Sequence, residues 1–225
     1  MGLTLTPVNA AAHTEDQKRR AAESAAGLVS DGEVVGLGTG STVAHLLPAL
    51  AARGLDIRCV ATSPRTEEDA RRLGLAVEPF HAFDRLDIAL DGADQVGPDG
   101  WLVKGGGGAH TREKIVAAAA DRFVVIVDAT KPVEEIGPPI PLELSSFGVA
   151  ATLRELGAAR LREAPGTPDG GVLADYIGEV EAPDALAAWL AGVPGVIEHG
   201  LFGPGLVSEV LVGRDDEVER IRIGG

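Results

Sequence analysis

The sequence of 225 residues is 45% hydrophobic and 24% charged, which is ordinary globular usage and argues against a disordered chain. Its formal net charge of −14 argues against a surface for nucleic acid or anionic membrane, because both require clustered lysine and arginine, but it does not exclude a phosphorylated ligand. The single cysteine, Cys59, excludes an internal disulfide, and its apolar neighbours predict an inert core thiol in a reducing compartment.

The first half of the chain alternates helical and extended patterns. Amphipathic segments predict helices at residues 15–29, 42–53, 66–73 and 112–120, and short apolar runs predict strands at 33–37, 57–61, 87–90 and 123–127. Alternation of this kind indicates an α/β fold, with a parallel sheet covered by helices on both faces.

The second half begins with closely spaced prolines at 132, 138, 139 and 141, which predict a connection between two domains because each removes a backbone donor. Helices are expected at residues 147–156 and 183–191, and strands at 158–162, 171–177 and 196–198, forming a small α+β unit. Two last strands, at 208–212 and 218–223, are expected to return to the first domain. The predicted domains are therefore residues 1–136 plus 208–225, and residues 137–207.

The start of the chain and its apolar runs carry no targeting pattern. Residues 1–12 lack the basic flank and continuous apolar stretch of a signal peptide, and no run approaches the roughly 18 apolar residues of a membrane span. The sequence therefore predicts a cytoplasmic protein with no membrane partner.

Four loops contain residues that could bind a ligand or take part in a reaction. The first covers residues 36–42, between a predicted strand and a helix. Glycines, including Gly40, let backbone N–H groups turn inward, the hydroxyls of Thr39, Ser41 and Thr42 add donors, and the helix start favours an anion. A dinucleotide fingerprint would need glycine where Ser41 stands. A simple glycine turn with a Ser/Thr cap is the open alternative.

The second loop, Asp91, Gly92, Ala93 and Asp94, follows an apolar strand. Its two acids could bind a metal, hydrogen-bond sugar hydroxyls or serve as acid and base, and a polar turn is the alternative. No ligand spacing appears among the histidines, so we expect no metal site and surface or loop positions for all five: His13, His45, His81, His110 and His199.

The third loop places four consecutive glycines between Lys104 and a predicted helix that begins close to Glu113. Such a run carries a conformational-entropy cost, which suggests close approach of the backbone to a ligand. Glutamate in a first helical turn is also favourable for the helix dipole alone, so Glu113 by itself has a structural alternative.

The fourth loop, residues 128–132, follows another apolar strand and contains Lys131. A lysine at this sheet edge could reach a phosphate, although a lone lysine is more often solvated. Three of the four loops directly follow strands, and the carboxyl edge of a parallel sheet is where ligands bind.

These strings, in this order, resemble the type A family of ribose-5-phosphate isomerase over roughly residues 15–202. The most specific part is residues 91–94 followed by 104–107 and 111–114. Residues 39–42, 128–131 and 200–202 reinforce it.

The resemblance implies a Rossmann-like parallel-sheet domain with a second, smaller α+β domain of ferredoxin-like type, assembled as a homodimer or homotetramer. It implies interconversion of D-ribose 5-phosphate and D-ribulose 5-phosphate in the non-oxidative branch of the pentose phosphate pathway, without metal or cofactor. Glu113 would be the general base, Lys104 would stabilise the intermediate, and Asp91 and Asp94 would contact the sugar and assist ring opening. The substrate-binding set would also contain Thr39, Gly40, Ser41, Thr42, Gly92, Ala93, Gly105, Gly106, Gly107 and Lys131, with Lys18 as a weaker match.

The sequence does not decide whether the pKa of Glu113 is raised or lowered. Its helix-start position and Lys104 should lower the pKa, whereas burial should raise it.

Some residues depart from the family pattern. Gln95 stands where the family usually has Glu, Gly108 and His110 stand where it often has Ala and Leu, and residues 144–148 also differ. These departures leave room for an isomerase of a modified pentose phosphate.

Two other function classes compete with this prediction. A non-catalytic sugar-phosphate sensor domain would lack the base or the cation and normally carry a helix-turn-helix, whereas Glu113 and Lys104 are present and about twelve residues precede the first predicted helix. An aminosugar-phosphate deaminase or a coenzyme A transferase would need motifs that this sequence lacks.

Overall fold

The computed structural model describes residues 7–223, with side chains from residue 11 onward; the outermost residues of the predicted first domain, 1–6 and 224–225, lie outside the described residues. The helices are α1 (Pro7–Ala26), α2 (Ser41–Ala52), α3 (Pro64–Arg72), α4 (His110–Ala119), α5 (Val149–Leu156) and α6 (Pro183–Gly192). The strands are β1 (Val34–Leu37), β2 (Arg58–Ala61), β3 (Ala76–Val77), β4 (Leu86–Asp91), β5 (Gln95–Val96), β6 (Leu102–Val103), β7 (Ala120–Asp128), β8 (Ile140–Leu144), β9 (Ala159–Leu161), β10 (Val172–Tyr176), β11 (Val196–His199), β12 (Leu201–Phe202), β13 (Glu209–Gly213) and β14 (Val218–Arg222).

A seven-stranded sheet forms the larger layer, in the order β14-β13-β7-β4-β1-β2-β3. All neighbouring strands are parallel except β13 and β14, which pair antiparallel. One face packs against α1 and α2 in a buried core of Ala, Val and Leu, and the other face packs against α4. This is the predicted α/β arrangement, and the predicted return of the last two strands to this sheet is confirmed.

Most predicted helices and strands begin and end within about three residues of the observed ones, which is ordinary for pattern-based boundaries. The first helix is the exception, because it begins at Pro7 rather than at residue 15 and ends at Ala26 rather than at residue 29. Proline suits a first helical turn, where its missing N–H would be unused, and Gly27 follows the last helical residue. The two-residue strands β3, β5, β6 and β12 are too short to show a periodic pattern and were not predicted.

The second layer is a four-stranded antiparallel sheet in the order β11-β8-β10-β9, connected as β8-α5-β9-β10-α6-β11. This is the ferredoxin-like connectivity predicted for the smaller α+β unit.

The assignment of residues 132–141 to a connection is wrong at its end, because Pro141 belongs to β8, in the interior of the four-stranded sheet. The carbonyl of Pro141 accepts a hydrogen bond from Gly200 N, 2.7 Å away, just beyond the last residue pair of β8 and β11. A hydrogen-bonded pair of residues in an antiparallel sheet normally has two such bonds. Pro141 has no N–H, so it cannot donate the second bond to the carbonyl of Gly200. The carbonyl of Gly200 accepts instead from the backbone N of Lys104, at 2.8 Å.

A three-stranded sheet, in the order β12-β6-β5, connects the two layers. Leu201 of β12 and Val103 of β6 belong to the same buried cluster as Ile140 and Leu142 of β8. Packing therefore crosses the predicted domain boundary, and the division at residues 137 and 207 stays a prediction. Across residues 7–223, no helix is both long and apolar enough to cross a membrane.

Candidate active site

The loops after β1, β4 and β7 lie at one edge of the seven-stranded sheet because these strands are parallel. The glycine loop between β6 and α4 meets them there. Together they surround a cavity of about 140 Å³. Its lining contains Lys18, Thr39, Gly40, Ser41, Thr42, Val43, Gly92, Ala93, Asp94, Lys104, Gly105, Gly106, Gly107, Glu113 and Lys131.

Lys104 lies at the centre of a buried charged group. Its Nζ is 2.9 Å from Asp91 Oδ2 and 3.2 Å from Glu113 Oε2, and it also donates to the carbonyl of Gly92. Lys104 is only 2% exposed, Asp91 3% and Glu113 5%. One cation therefore faces two carboxylates in a region from which most water is excluded.

Asp91 lies beneath the first loop rather than in the cavity wall. Its Oδ1 accepts hydrogen bonds from the backbone N of Thr39, at 3.0 Å, and of Gly92, at 2.7 Å. The close approach of the Asp91 carboxylate to this loop requires glycine at position 38, where a Cβ would lie 1.9 Å from the same Oδ1. The predicted contact of Asp91 with a sugar stays a prediction, and the contacts observed are with Lys104 and the loop.

Asp94 lines the cavity and is exposed. Its Oδ2 accepts a hydrogen bond from Gly106 N at 2.7 Å, which connects the second predicted loop to the third. The glycine loop begins with Gly105 at a φ of 103°, a left-handed conformation that side chains disfavour, and a Cβ there would also meet the ring of His110. A glycine is therefore needed at the start of the loop.

Glu113 lies in the first turn of α4, as predicted, and its side chain is buried beside Lys104. Burial, and after it the charge of Asp91, raises the pKa of Glu113, whereas Lys104 opposes the rise, and the net pKa is about 8. Burial alone would lower the pKa of Lys104, but Asp91 and Glu113 outweigh it and raise that pKa, so Lys104 stays charged. Burial thus decides the balance that the sequence left open.

The cavity lining also contains several hydrogen-bond donors. Ser41 and Thr42 form the start of α2, where free backbone N–H groups favour an anion. The hydroxyl of Thr39 lies 2.8 Å from that of Thr62, so its position is fixed by the end of β2. Lys131 and Lys18 line the same cavity from the loop after β7 and from α1. Lys18, the weaker match, is thus brought to the site.

Two histidines contradict the expectation of surface or loop positions, whereas His13, His45 and His81 are at least partly exposed. His110 is fully buried at the start of α4, and His199 is buried at the end of β11. Burial lowers the pKa of each to about 4, so both rings are neutral near pH 7. In the described part of the chain, no group of three or more His, Cys, Asp or Glu side chains is arranged to hold a metal ion.

Two contacts at the site were missed by the sequence analysis. The guanidinium of Arg162, in the smaller unit, contacts the carbonyl of Gly105, although 57 residues separate them. The ring of Phe202 lies 5.4 Å from Lys104 Nζ. No local pattern could have indicated the first contact, whereas Phe202 lay in a string that had already supported the family resemblance.

Known proteins resemble this chain throughout most of its length. A family model described as ribose 5-phosphate isomerase A (phosphoriboisomerase A) matches residues 58–217. A protein named ribose-5-phosphate isomerase A from Halobacterium salinarum is 47% identical over 92% of this chain and 96% of its own length. The solved structure of ribose 5-phosphate isomerase A from Neisseria gonorrhoeae has a TM-score of 0.90 and 32% identity, covering 94% of this chain and 98% of that one.

A further solved structure, a D-ribose-5-phosphate isomerase in complex with phospho-erythronic acid, has a TM-score of 0.88 and 33% identity. It covers 93% of this chain and 99% of that one. Agreement of sequence, fold and length confirms the resemblance drawn from the four loops. The chain belongs to the ribose 5-phosphate isomerase A family.

Proposed function

We propose that this protein interconverts D-ribose 5-phosphate and D-ribulose 5-phosphate by proton transfer through an enediolate. The observation that carries the proposal is the buried Glu113 carboxylate, 3.2 Å from the Lys104 ammonium at the wall of a small polar cavity. Relatives that carry this activity in their names match almost the whole chain.

Glu113 is the proposed general base. It removes the proton from C2 of the open-chain aldose and returns it to C1, so one carboxylate serves both transfers. Such a positioned base typically contributes about 10²- to 10⁴-fold in rate. A pKa near 8 makes the carboxylate a stronger base than an ordinary glutamate, because its protonated form is favoured by burial.

Lys104 is the proposed stabiliser of the oxyanion that develops as the C2 proton leaves. Its charge is fixed by Asp91 and is already desolvated, so little reorganisation is needed during the reaction. Asp91 orients Lys104 and the Thr39 loop, and Asp94, which faces the cavity, assists ring opening by exchanging a proton with a sugar hydroxyl.

The phosphate is proposed to lie at the start of α2, among the N–H groups and hydroxyls of Thr39, Ser41 and Thr42, with Lys131 and Lys18 as cations. Phospho-erythronic acid, found in the related solved structure, also carries a phosphate. Gly40, Gly92, Ala93, Gly105, Gly106 and Gly107 complete the proposed substrate-binding set.

Replacing Lys131 by alanine is expected to raise KM for ribose 5-phosphate about 10- to 100-fold, because one charge-assisted contact to phosphate is lost. kcat should change much less, since the phosphate does not react. Steady-state kinetics check this split, and Lys131→Arg, which keeps the charge, serves as the matched control. A change in kcat with KM unaltered would contradict the phosphate role.

The activity is expected to increase with pH. Because Glu113 must be ionised to act as the base, kcat/KM should rise as pH increases through a midpoint near 8 and level off above it. The raised pKa of Glu113 also affects stability, because the folded state holds this proton more tightly than the unfolded state. The stabilisation is fully present below pH 4.5, the ordinary pKa of a glutamate, and it is lost as pH rises through about 8. A pH profile of kcat/KM tests the first effect, and a midpoint near 4.5 would contradict it.

Incubation with ribose 5-phosphate in the presence of a metal chelator tests the function directly. Ribulose 5-phosphate is expected to form at an undiminished rate. Tight binding of ribose 5-phosphate without turnover would support the alternative of a sensor domain. Turnover of a derivative in preference to ribose 5-phosphate would support an isomerase of a modified pentose phosphate.

We also propose a cytoplasmic homodimer or homotetramer, with residues 137–207 as a separate small domain. The lone cysteine is buried and its pKa is raised by burial to about 12, which agrees with an inert thiol in a reducing compartment. Exposed apolar side chains, including Phe147, Ile115 and Ile197, are candidates for burial between subunits. Light scattering on the purified protein gives the assembly size.

A further inference from the structure

The glycine loop of residues 105–108 has no side chains of its own to hold it in place, so its position depends on backbone contacts. On one side, Gly106 N donates to Asp94 Oδ2 at 2.7 Å. On the other, Nη1 of Arg162 donates to the carbonyl of Gly105 at 2.8 Å and to that of Gly106 at 3.3 Å. The loop is therefore held between the sheet edge and the smaller unit.

The guanidinium of Arg162 is itself oriented by Asp175 on the neighbouring strand β10. Both Nε, at 3.0 Å, and Nη2, at 2.6 Å, contact Asp175 Oδ1, and both side chains are mostly buried. The backbone N of Arg162 donates to Leu173 O at 2.9 Å, which fixes the residue beside β10. Asp175 thus occupies one edge of the guanidinium and leaves Nη1 for the loop.

Helix α4 has contacts with the smaller unit of a different kind. Thr111 bonds to Glu143, and Lys114 Nζ lies 2.6 Å from Glu198 Oε1 and donates to the carbonyl of His199. These contacts orient a helix whose own hydrogen bonds preserve its shape. Within the described residues, the glycine loop has a single internal hydrogen bond, from Gly108 N to the carbonyl of Gly105 at 3.0 Å, so its geometry is the more sensitive to a lost contact.

We propose that Arg162 is a positioning residue for the reaction, holding Gly106 and Gly107 in the arrangement that closes the substrate cavity. The effect on activity rests on the proposed isomerase function, whereas the ordering of the loop does not. Arg162 acts through the loop carbonyls, and the cavity lining contains those glycines but not Arg162 itself.

Arg162→Ala is expected to raise KM for ribose 5-phosphate about 10- to 100-fold, the range for losing a hydrogen bond from a charged donor. The pH profile of kcat/KM should keep its midpoint, because Glu113 and Lys104 are untouched. Added millimolar guanidinium should restore part of the loss, and ammonium at the same ionic strength should not. Arg160→Ala, at an exposed position on β9, is the matched control and should behave as wild type.

Arg162→Lys distinguishes loss of the loop contact from a folding defect in Arg162→Ala. It keeps a cation beside Asp175 but lacks the forked donors that reach the loop, so it should fold normally and still show raised KM. Wild-type KM in both variants, a loss without guanidinium rescue, or an equal loss in Arg160→Ala would overturn the proposal.

Hydrogen exchange measures the loop without any assumption about activity. Amides in the peptide spanning residues 104–110 are expected to exchange faster in both Arg162 variants than in wild type. Unchanged exchange would overturn the proposal. An inactive wild type with this change in exchange would instead contradict the isomerase function and leave the positioning role supported.

Discussion

Glu113→Gln is expected to lower kcat about 10²- to 10⁴-fold, the typical contribution of a general base. The amide matches the carboxylate in size and fits beside Lys104, but it cannot accept the C2 proton. KM should change much less, because Glu113 is not proposed to hold the phosphate. Steady-state kinetics with ribose 5-phosphate, at a pH above about 8 where wild-type Glu113 is ionised, measure the loss.

The same variant separates catalysis from folding. Ionised Glu113 is disfavoured by burial and by Asp91, so the neutral amide should leave the free energy of unfolding at about pH 9 unchanged or higher. Glu155→Gln, at an exposed position of α5, is the matched control for both measurements. A Glu113→Gln variant whose kcat stays within a few-fold of wild type would eliminate Glu113 as the base.

Lys104→Met is expected to lower kcat about 10²- to 10³-fold, as removal of a positioned oxyanion donor does in other enzymes. The substitution also leaves Asp91 and Glu113 facing each other in a buried region, where breaking an ion pair costs about 3 to 5 kcal/mol. Loss of activity alone would therefore be ambiguous. The pKa of Glu113 should also rise further, because the opposing charge is gone.

The double variant Lys104→Met with Asp91→Asn resolves that ambiguity. It removes both members of the pair, so chemical denaturation should show part of the lost stability restored. Activity should stay low, because the oxyanion still has no cation. Recovery of most of kcat together with stability would indicate that Lys104 serves only to balance Asp91.

The parallel-sheet layer was predictable, apart from the two-residue strand β3, because most of its strands are short apolar runs and its helices have an amphipathic or capped pattern. Strand β8 was not, since Pro141 removes a donor that an interior strand normally uses. It is tolerated because its partner carbonyl, on Gly200, accepts from Lys104 N instead. These hydrogen bonds connect Pro141, Gly200 and Lys104, which are far apart in the sequence, so no local sequence pattern indicates them.

The candidate site was predictable as a set of loops but not in its interior geometry. Strand ends at one sheet edge indicated that Asp91, Asp94 and Lys131 would lie near Glu113, and the residues do surround or underlie one cavity. The position of Asp91 behind Lys104, the burial of His110 and the reach of Arg162 all depend on packing between the two layers. Sequence spacing carries no information on such contacts.

Solvent exchange at C2 tests the central claim most directly. Wild-type protein and Glu113→Gln are incubated with ribose 5-phosphate in deuterated water, and deuterium at C2 of the aldose is followed by NMR alongside ketose formation. Wild type is predicted to form ketose and to introduce deuterium at C2, and the variant to do neither at a comparable rate. Ketose formation or exchange at C2 at the wild-type rate in Glu113→Gln would contradict proton transfer through Glu113.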